Sequence, residues 1–139
     1  MAAEKTLSPN QLGSVGAFGE NAAADYVAAS GYSILCRNVK FGRHELDLVA
    51  EDEKYIVFFE IKTRSVRSFS GINRLGGAAR SVTYEKQRNT VEAAREYLKQ
   101  NKTRKFPRID VIEVYVEHRE DGLVVSSINH IRNAFGQRR

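Results

Sequence analysis

Cysteine occurs once in these 139 residues, at Cys36, which excludes an internal disulfide and any cysteine-based zinc site. A lone thiol fits a reducing compartment, and its place in the strand-like run YSILCRN marks a core thiol rather than a nucleophile. No apolar run approaches the ~20 residues of a membrane span. No secretory signal is visible, so the expected location is the cytoplasm, with no membrane partner. His44, His118 and His130 have no metal-ligand spacing among them and read as scattered polar residues. The chain also lacks an internal repeat, a phosphate-binding glycine loop, a dinucleotide fingerprint and a nucleophile elbow.

What is present suits one domain with a proper core, spanning 12–136 behind a loose tail at 1–11. The formal charge is +5, and its placement says more than its size. Between Thr63 and Arg108 stand twelve Lys and Arg against three Glu, leaving the rest of the chain net acidic. A basic segment beside an acidic centre suits a polyanion held over a metal site, because Lys and Arg neutralise phosphates and steer them in. The same charges on a helix surface also serve solubility.

The acidic centre is the stretch Phe41 to Arg64, FGRHELDLVAEDEKYIVFFEIKTR. It reads as two strands, His44 to Ala50 and Lys54 to Thr63, joined by a tight polar turn. Alternation puts Glu45 and Asp47 on one face, with Leu46 and Leu48 on the other. Phe58, Glu60 and Lys62 share a face of the second strand. A turn centred on Asp52 to Lys54 pairs Asp47 with Glu60 and Glu45 with Lys62. Opposed residues bring their Cβ atoms to about 4.5–5.5 Å. Two carboxylates that close repel unless a cation lies between them, and Mg²⁺ typically uses one or two carboxylates plus waters. Lys62 would orient an attacking water or stabilise charge developing on phosphorus. The pattern suits metal-assisted phosphodiester hydrolysis, although E-x-K alone is common and a Glu45–Lys62 pair has an ordinary cross-strand reading.

An amphipathic helix is expected over Leu12 to Ser30, with Gly16 and Gly19 allowing close approach of another backbone. Glu20 on its flank is either a further metal ligand or a surface acid. A strand follows at Tyr32 to Val39. Residues 65–81, rich in Gly, Ser and Arg, are expected to form a mobile, phosphate-contacting flap that carries Arg67, Arg74 and Arg80, with Arg64 just before it. A second helix over Thr83 to Gln100 buries Tyr84, Val91, Ala94 and Leu98. Lys86, Gln87 and Arg88 fall in its first turns, where cations oppose the helix dipole and either meet phosphate or face solvent. A strand at Arg108 to Glu117 should lie parallel to a strand of the central hairpin. Asp121-Gly122 turns into a strand at Leu123 to Ile128. A short helix is expected over 130–135, with Ile131 and Phe135 packing back.

With an Asp on the second strand and E-x-K on the third, the chain resembles the restriction-endonuclease-like nuclease superfamily. More narrowly it resembles the YraN-like family of predicted endonucleases, themselves similar to archaeal Holliday-junction resolvases. The matching pieces are GAFGENAAADYV, GYSILCRNVK, RHELDLVA, YIVFFEIKTR, Lys86-Gln87 with Tyr97-Leu98, RIDVIEV and INHIRNAF. The resemblance implies an α/β fold with an α-β-β-β-α-β core and a central mixed sheet flanked by helices. It implies Asp47 and Glu60 as ligands of Mg²⁺ or Mn²⁺, with the Ile61 carbonyl a third and Glu20 a helix-borne acid. Lys62 would be the catalytic lysine and Glu45 an accessory acid. Lys86 and Gln87 would face substrate. The family usually has Gly where this chain has His44.

The expected function is therefore a metal-dependent nuclease, with DNA rather than RNA as partner, branched or junction DNA among the candidate forms, and a homodimer as in resolvase-like relatives. The alternatives are a nucleic-acid-binding module without chemistry and a protein-interaction domain whose basic segment docks an acidic partner.

Overall fold

The computed structural model describes residues 14–66 and 82–136. Along the chain these form α1 (Val15–Ala29), β1 (Ser33–Phe41), β2 (His44–Glu51), β3 (Tyr55–Val66), α2 (Tyr84–Gln100), β4 (Phe106–Arg119) and β5 (Gly122–Ile131). The strands make one sheet in the order β1-β2-β3-β4-β5, with β3 and β4 parallel and the other neighbours antiparallel. The parallel pair follows from the connection through α2, since a crossover returns the chain in the same direction. This is an α/β architecture with the helix and strand order of a restriction-endonuclease-like core.

Each helix covers one face. Phe18, Ala23 and Val27 of α1 bury against Leu48, Phe59, Ile61, Ile112 and Val114. On the opposite face Ala93, Ala94 and Tyr97 of α2 bury against Leu46, Val49, Phe58 and Ile109. α1 seats closely because Gly19 lies against β3, where a Cβ would run into the Thr63 side chain. Gly16, by contrast, faces open space. The neighbour of Gly19 is thus a side chain rather than the backbone expected from the sequence.

The β2–β3 register runs Leu48↔Phe59, Val49↔Phe58, Ala50↔Val57 and Glu51↔Ile56, the alignment that the turn at Asp52 dictates. Pairing ends at Leu48, however, so neither Asp47–Glu60 nor Glu45–Lys62 is a pair of the ladder, and Glu45 does not sit across from Lys62. Its Cα partner is Lys40 of β1. Leu46 and Leu48 also fall on opposite faces, one in each core. The disturbance coincides with an irregularity in β1: Asn38, flanked by the pairs Arg37↔Leu48 and Val39↔Leu46, adopts a left-handed φ of 52° opposite Asp47. Asn tolerates that conformation better than most residues, and strict alternation breaks there.

Other boundaries differ from expectation. β3 takes in Ser65 and Val66, and the rest of the expected flap, with Arg67, Arg74 and Arg80, lies outside the described residues. Tyr84 begins α2 at 74% exposure instead of lying on its buried face. That face is Thr90, Ala93, Ala94 and Tyr97, with the expected Val91 and Leu98 packed half-buried beside it. The expected helix over 130–135 is absent: β5 runs on to Ile131, with His130 and Ile131 paired to Ile112 and Val111. Ile131 and Phe135 do pack back, against Val82 and Val111.

Candidate active site on strand β3

Glu60 and Lys62 project from β3 on the α2 side of the sheet, and Asp47 comes from β2 where the two strands stop pairing. Asp47 replaces the lost ladder contact with its own side chain, Oδ2 accepting from the Ile61 N–H at 2.9 Å. The N–H and C=O of one strand residue point to the same edge. The Ile61 carbonyl therefore faces the gap that Asp47 enters.

Glu60 is 4% exposed. Its Oε2 lies 3.6 Å from Lys86 Nζ, and Thr90 Oγ1 stands 3.4 Å from Oε1. Thr90 also reaches the Lys86 carbonyl at 3.0 Å, so its one hydroxyl proton serves one acceptor at a time. Burial first, and then the charge of Asp47, push the Glu60 carboxyl up to about 7 despite Lys86, Lys62 and Thr90. Burial also raises Asp47, opposed by the Ile61 N–H and the two lysines. Glu20, delivered by α1, is raised by partial burial and then by Asp47 and Glu45, with Arg37 opposing. Asp47 is thus the hub of the acids expected from the sequence, within electrostatic reach of Glu60 on one side and of Glu20 and Glu45 on the other.

Lys86 and Gln87 part ways. Lys86 points at Glu60, while the Gln87 amide donates to the Val82 carbonyl at 3.0 Å and ties down the start of α2. Thr83 caps that start by accepting from the Lys86 N–H at 3.1 Å. Arg64 shares the face of Glu60 and Lys62, and its Nε donates to Glu113 Oε2 at 3.2 Å. The buried Nδ1 of His44 has no hydrogen-bond partner among the described residues.

The oxygen-only donor set fits a hard cation: two crowded carboxylates, one held well above its ordinary range, beside a free-edge carbonyl. Among the described residues no group of three or more His, Cys, Asp or Glu is arranged to hold a metal ion, so Glu20 does not join Asp47 and Glu60 in a ready ligand set.

The chain matches the model of "Uncharacterised protein family UPF0102" over residues 19–114. It is 46% identical over 123 residues to a UPF0102 protein of Syntrophomonas wolfei, covering 87% of this chain and 96% of that one. A UPF0102 protein of Symbiobacterium thermophilum is 42% identical over 122 residues, covering 87% and 95%. One from Caldanaerobacter subterraneus is 38% identical over 122 residues, covering 87% and 93%. The chain belongs to UPF0102. This is the YraN family that its motifs resemble. The UPF0102 match takes in Glu20, Glu45, Asp47, Glu60, Lys62, Arg64 and Lys86.

Sequence reasoning missed three members of this face. Thr90 sits one helical turn after Lys86, and that spacing was the available signal. Glu113 and Tyr115 alternate within the apolar strand RIDVIEVYV, where a polar residue on the inward period asks for a partner.

Proposed function

We propose that this UPF0102 protein is a divalent-metal-dependent nuclease that hydrolyses phosphodiester bonds in DNA. The observation that carries the reading is Glu60, buried beside Asp47 with its carboxyl at about 7, a charge conflict that a bound cation removes. Asp47, Glu60 and the Ile61 carbonyl would hold Mg²⁺ or Mn²⁺. When bound, such an ion supplies Lewis-acid stabilisation of the phosphate and a more acidic water. Lys62 and Lys86 place two ammonium groups beside the carboxylates, where charge on a pentavalent phosphorus would develop. Glu20, with its raised proton affinity, would take a proton from attacking water.

The test is cleavage of duplex and four-way-junction DNA with Mg²⁺ or Mn²⁺. Cleavage that Asp47→Ala, Glu60→Ala and Lys62→Ala each reduce by about 10²-fold or more supports the reading. Wild-type protein that cleaves neither substrate, or variants that cleave as well as wild type, overturn it.

The Lys86–Glu60 ion pair favours one second reading, a nucleic-acid-binding module without chemistry, because a lysine already offsets part of the Glu60 charge. That reading expects salt-sensitive DNA binding indifferent to Asp47→Asn and no divalent binding. The nuclease expects Asp47→Asn to weaken Mn²⁺ binding measured directly by calorimetry.

A further inference from the structure

Glu113 is 3% exposed, yet it lies in the middle of β4 as the Cα partner of Lys62. Its side chain has two partners: the Tyr115 hydroxyl donates to Oε1 at 2.6 Å, and Arg64 Nε donates to Oε2 at 3.2 Å. Burial and this contact push the Tyr115 hydroxyl up to about 12, so it stays protonated and donating at neutral pH.

As a stabilising device the arrangement is poor. Burying a carboxylate is costly, and a partner as exposed as Arg64, at 44%, returns little of that cost. A leucine would serve the sheet better. What the carboxylate does achieve is orientation. A guanidinium is planar and rigid, so gripping Nε fixes where both terminal nitrogens point. Among the described residues Glu113 engages only Nε, which leaves the two-pronged end of Arg64 available. That end stands on the same face as Lys62 and Glu60, roughly 7 and 13 Å along the strand from them at the ordinary rise per residue. A planar, bidentate fork held beside an acidic reaction centre matches a phosphate.

The geometry points to Glu113 and Tyr115 as positioning residues that hold Arg64 ready to clamp a backbone phosphate flanking the one that reacts. This deepens the nuclease reading and rests on it. It also extends the site across the sheet from β2 and β3 onto β4.

The experiment measures binding of the full chain to fluorescein-labelled duplex and junction DNA by anisotropy in EDTA, where no cleavage intervenes. Wild type, Arg64→Ala, Glu113→Gln, Glu113→Leu, Tyr115→Phe and the Arg64→Ala/Glu113→Gln double variant are compared, each with its melting temperature. Arg64→Ala and Glu113→Gln are expected to weaken binding about tenfold each and to lower the log–log salt slope by about one. The double variant is expected to bind no worse than Arg64→Ala, since both changes remove one interaction. Glu113→Leu is expected to melt at or above the wild-type temperature while still losing affinity, a combination that a structural role would not give. Tyr115→Phe repeats the test with a smaller loss. Additive losses, or folded Glu113 variants that bind as wild type does, overturn the clamp and leave the nuclease reading standing. Wild type that binds neither DNA overturns the clamp, and only absent cleavage with Mg²⁺ or Mn²⁺ overturns the nuclease reading as well.

Discussion

Ionising Glu60 costs the folded protein more than the unfolded chain, because folding takes its carboxyl out of water and sets it near Asp47. Below the ordinary value of 4.5 the group is protonated in both states, and above about 7 it is charged in both. In between, the folded state binds more protons, so its contribution to stability declines as pH rises through that window. Urea unfolding in EDTA should show this decline, and Glu60→Gln should remove it, gaining about 1–3 kcal/mol at the alkaline end. Superimposable pH profiles for the two proteins would contradict the assignment. Asp110 has the opposite sign. Burial pushes it up, but hydrogen bonds from His130, Arg108 and the Asn133 N–H outweigh burial and hold it below the usual range. Its contribution is present above the unfolded value and disappears as pH falls through the folded one. Asp110→Asn leaves Arg108 without its charge partner and should cost about 3–5 kcal/mol, read from the urea midpoint. His130 shows why such residues escape a linear reading. It bridges Asp110 and the Tyr26 hydroxyl, both at 2.8 Å, and Tyr26 stands 104 residues away in the chain.

Helix α1 owes its seat to one missing Cβ. Gly19→Ala pushes the helix off Thr63 and carries Glu20 away from Asp47, so it should lower stability by about 1–3 kcal/mol by thermal melting. An unchanged melting temperature would mean that the helix settles elsewhere at no cost. The hairpin was legible because its register is set locally by the turn residues Asp52 to Lys54, and the Asp52 carboxylate accepts from both the Lys54 and Tyr55 N–H groups. The direction of β4 was legible from connection length alone. The early end of the β2–β3 ladder was not, since it falls beside the irregular Asn38 of a third strand, far from the turn that sets the register. Strand β5 was cut short in the sequence reading for a similar reason. INHIRNAF carries helix-like spacing, and tertiary pairing with β4 overrides it.

At the scale of the whole molecule, the described cations of the basic segment divide into those that answer surface acids and those that face the buried carboxylates. Arg95 and Lys99 on α2 pair with Glu92 and Glu96 at 3.1 and 3.3 Å, and Lys105 pairs with Glu51 at 3.3 Å. Lys62, Arg64 and Lys86 stand instead around the carboxylates. Lys99→Ala should therefore change DNA affinity by no more than about twofold, and a loss as large as that from Arg64→Ala would relocate the polyanion surface. A divalent ion held by the native site should raise the melting temperature of wild type, by about 2.7 kcal/mol of stability at a hundredfold excess over the dissociation constant. Asp47→Asn should show little of that gain, and an equal gain would place the ion elsewhere.

The parting of β2 from β3 beyond Leu48 has a consequence for anyone who would toughen this protein. Two more rungs of backbone bonding would zip the sheet to its tip and make it sturdier. They would also swallow the open Ile61 edge and turn Asp47 aside, so the hardened protein would have lost the spot where the proposed site would grip a cation.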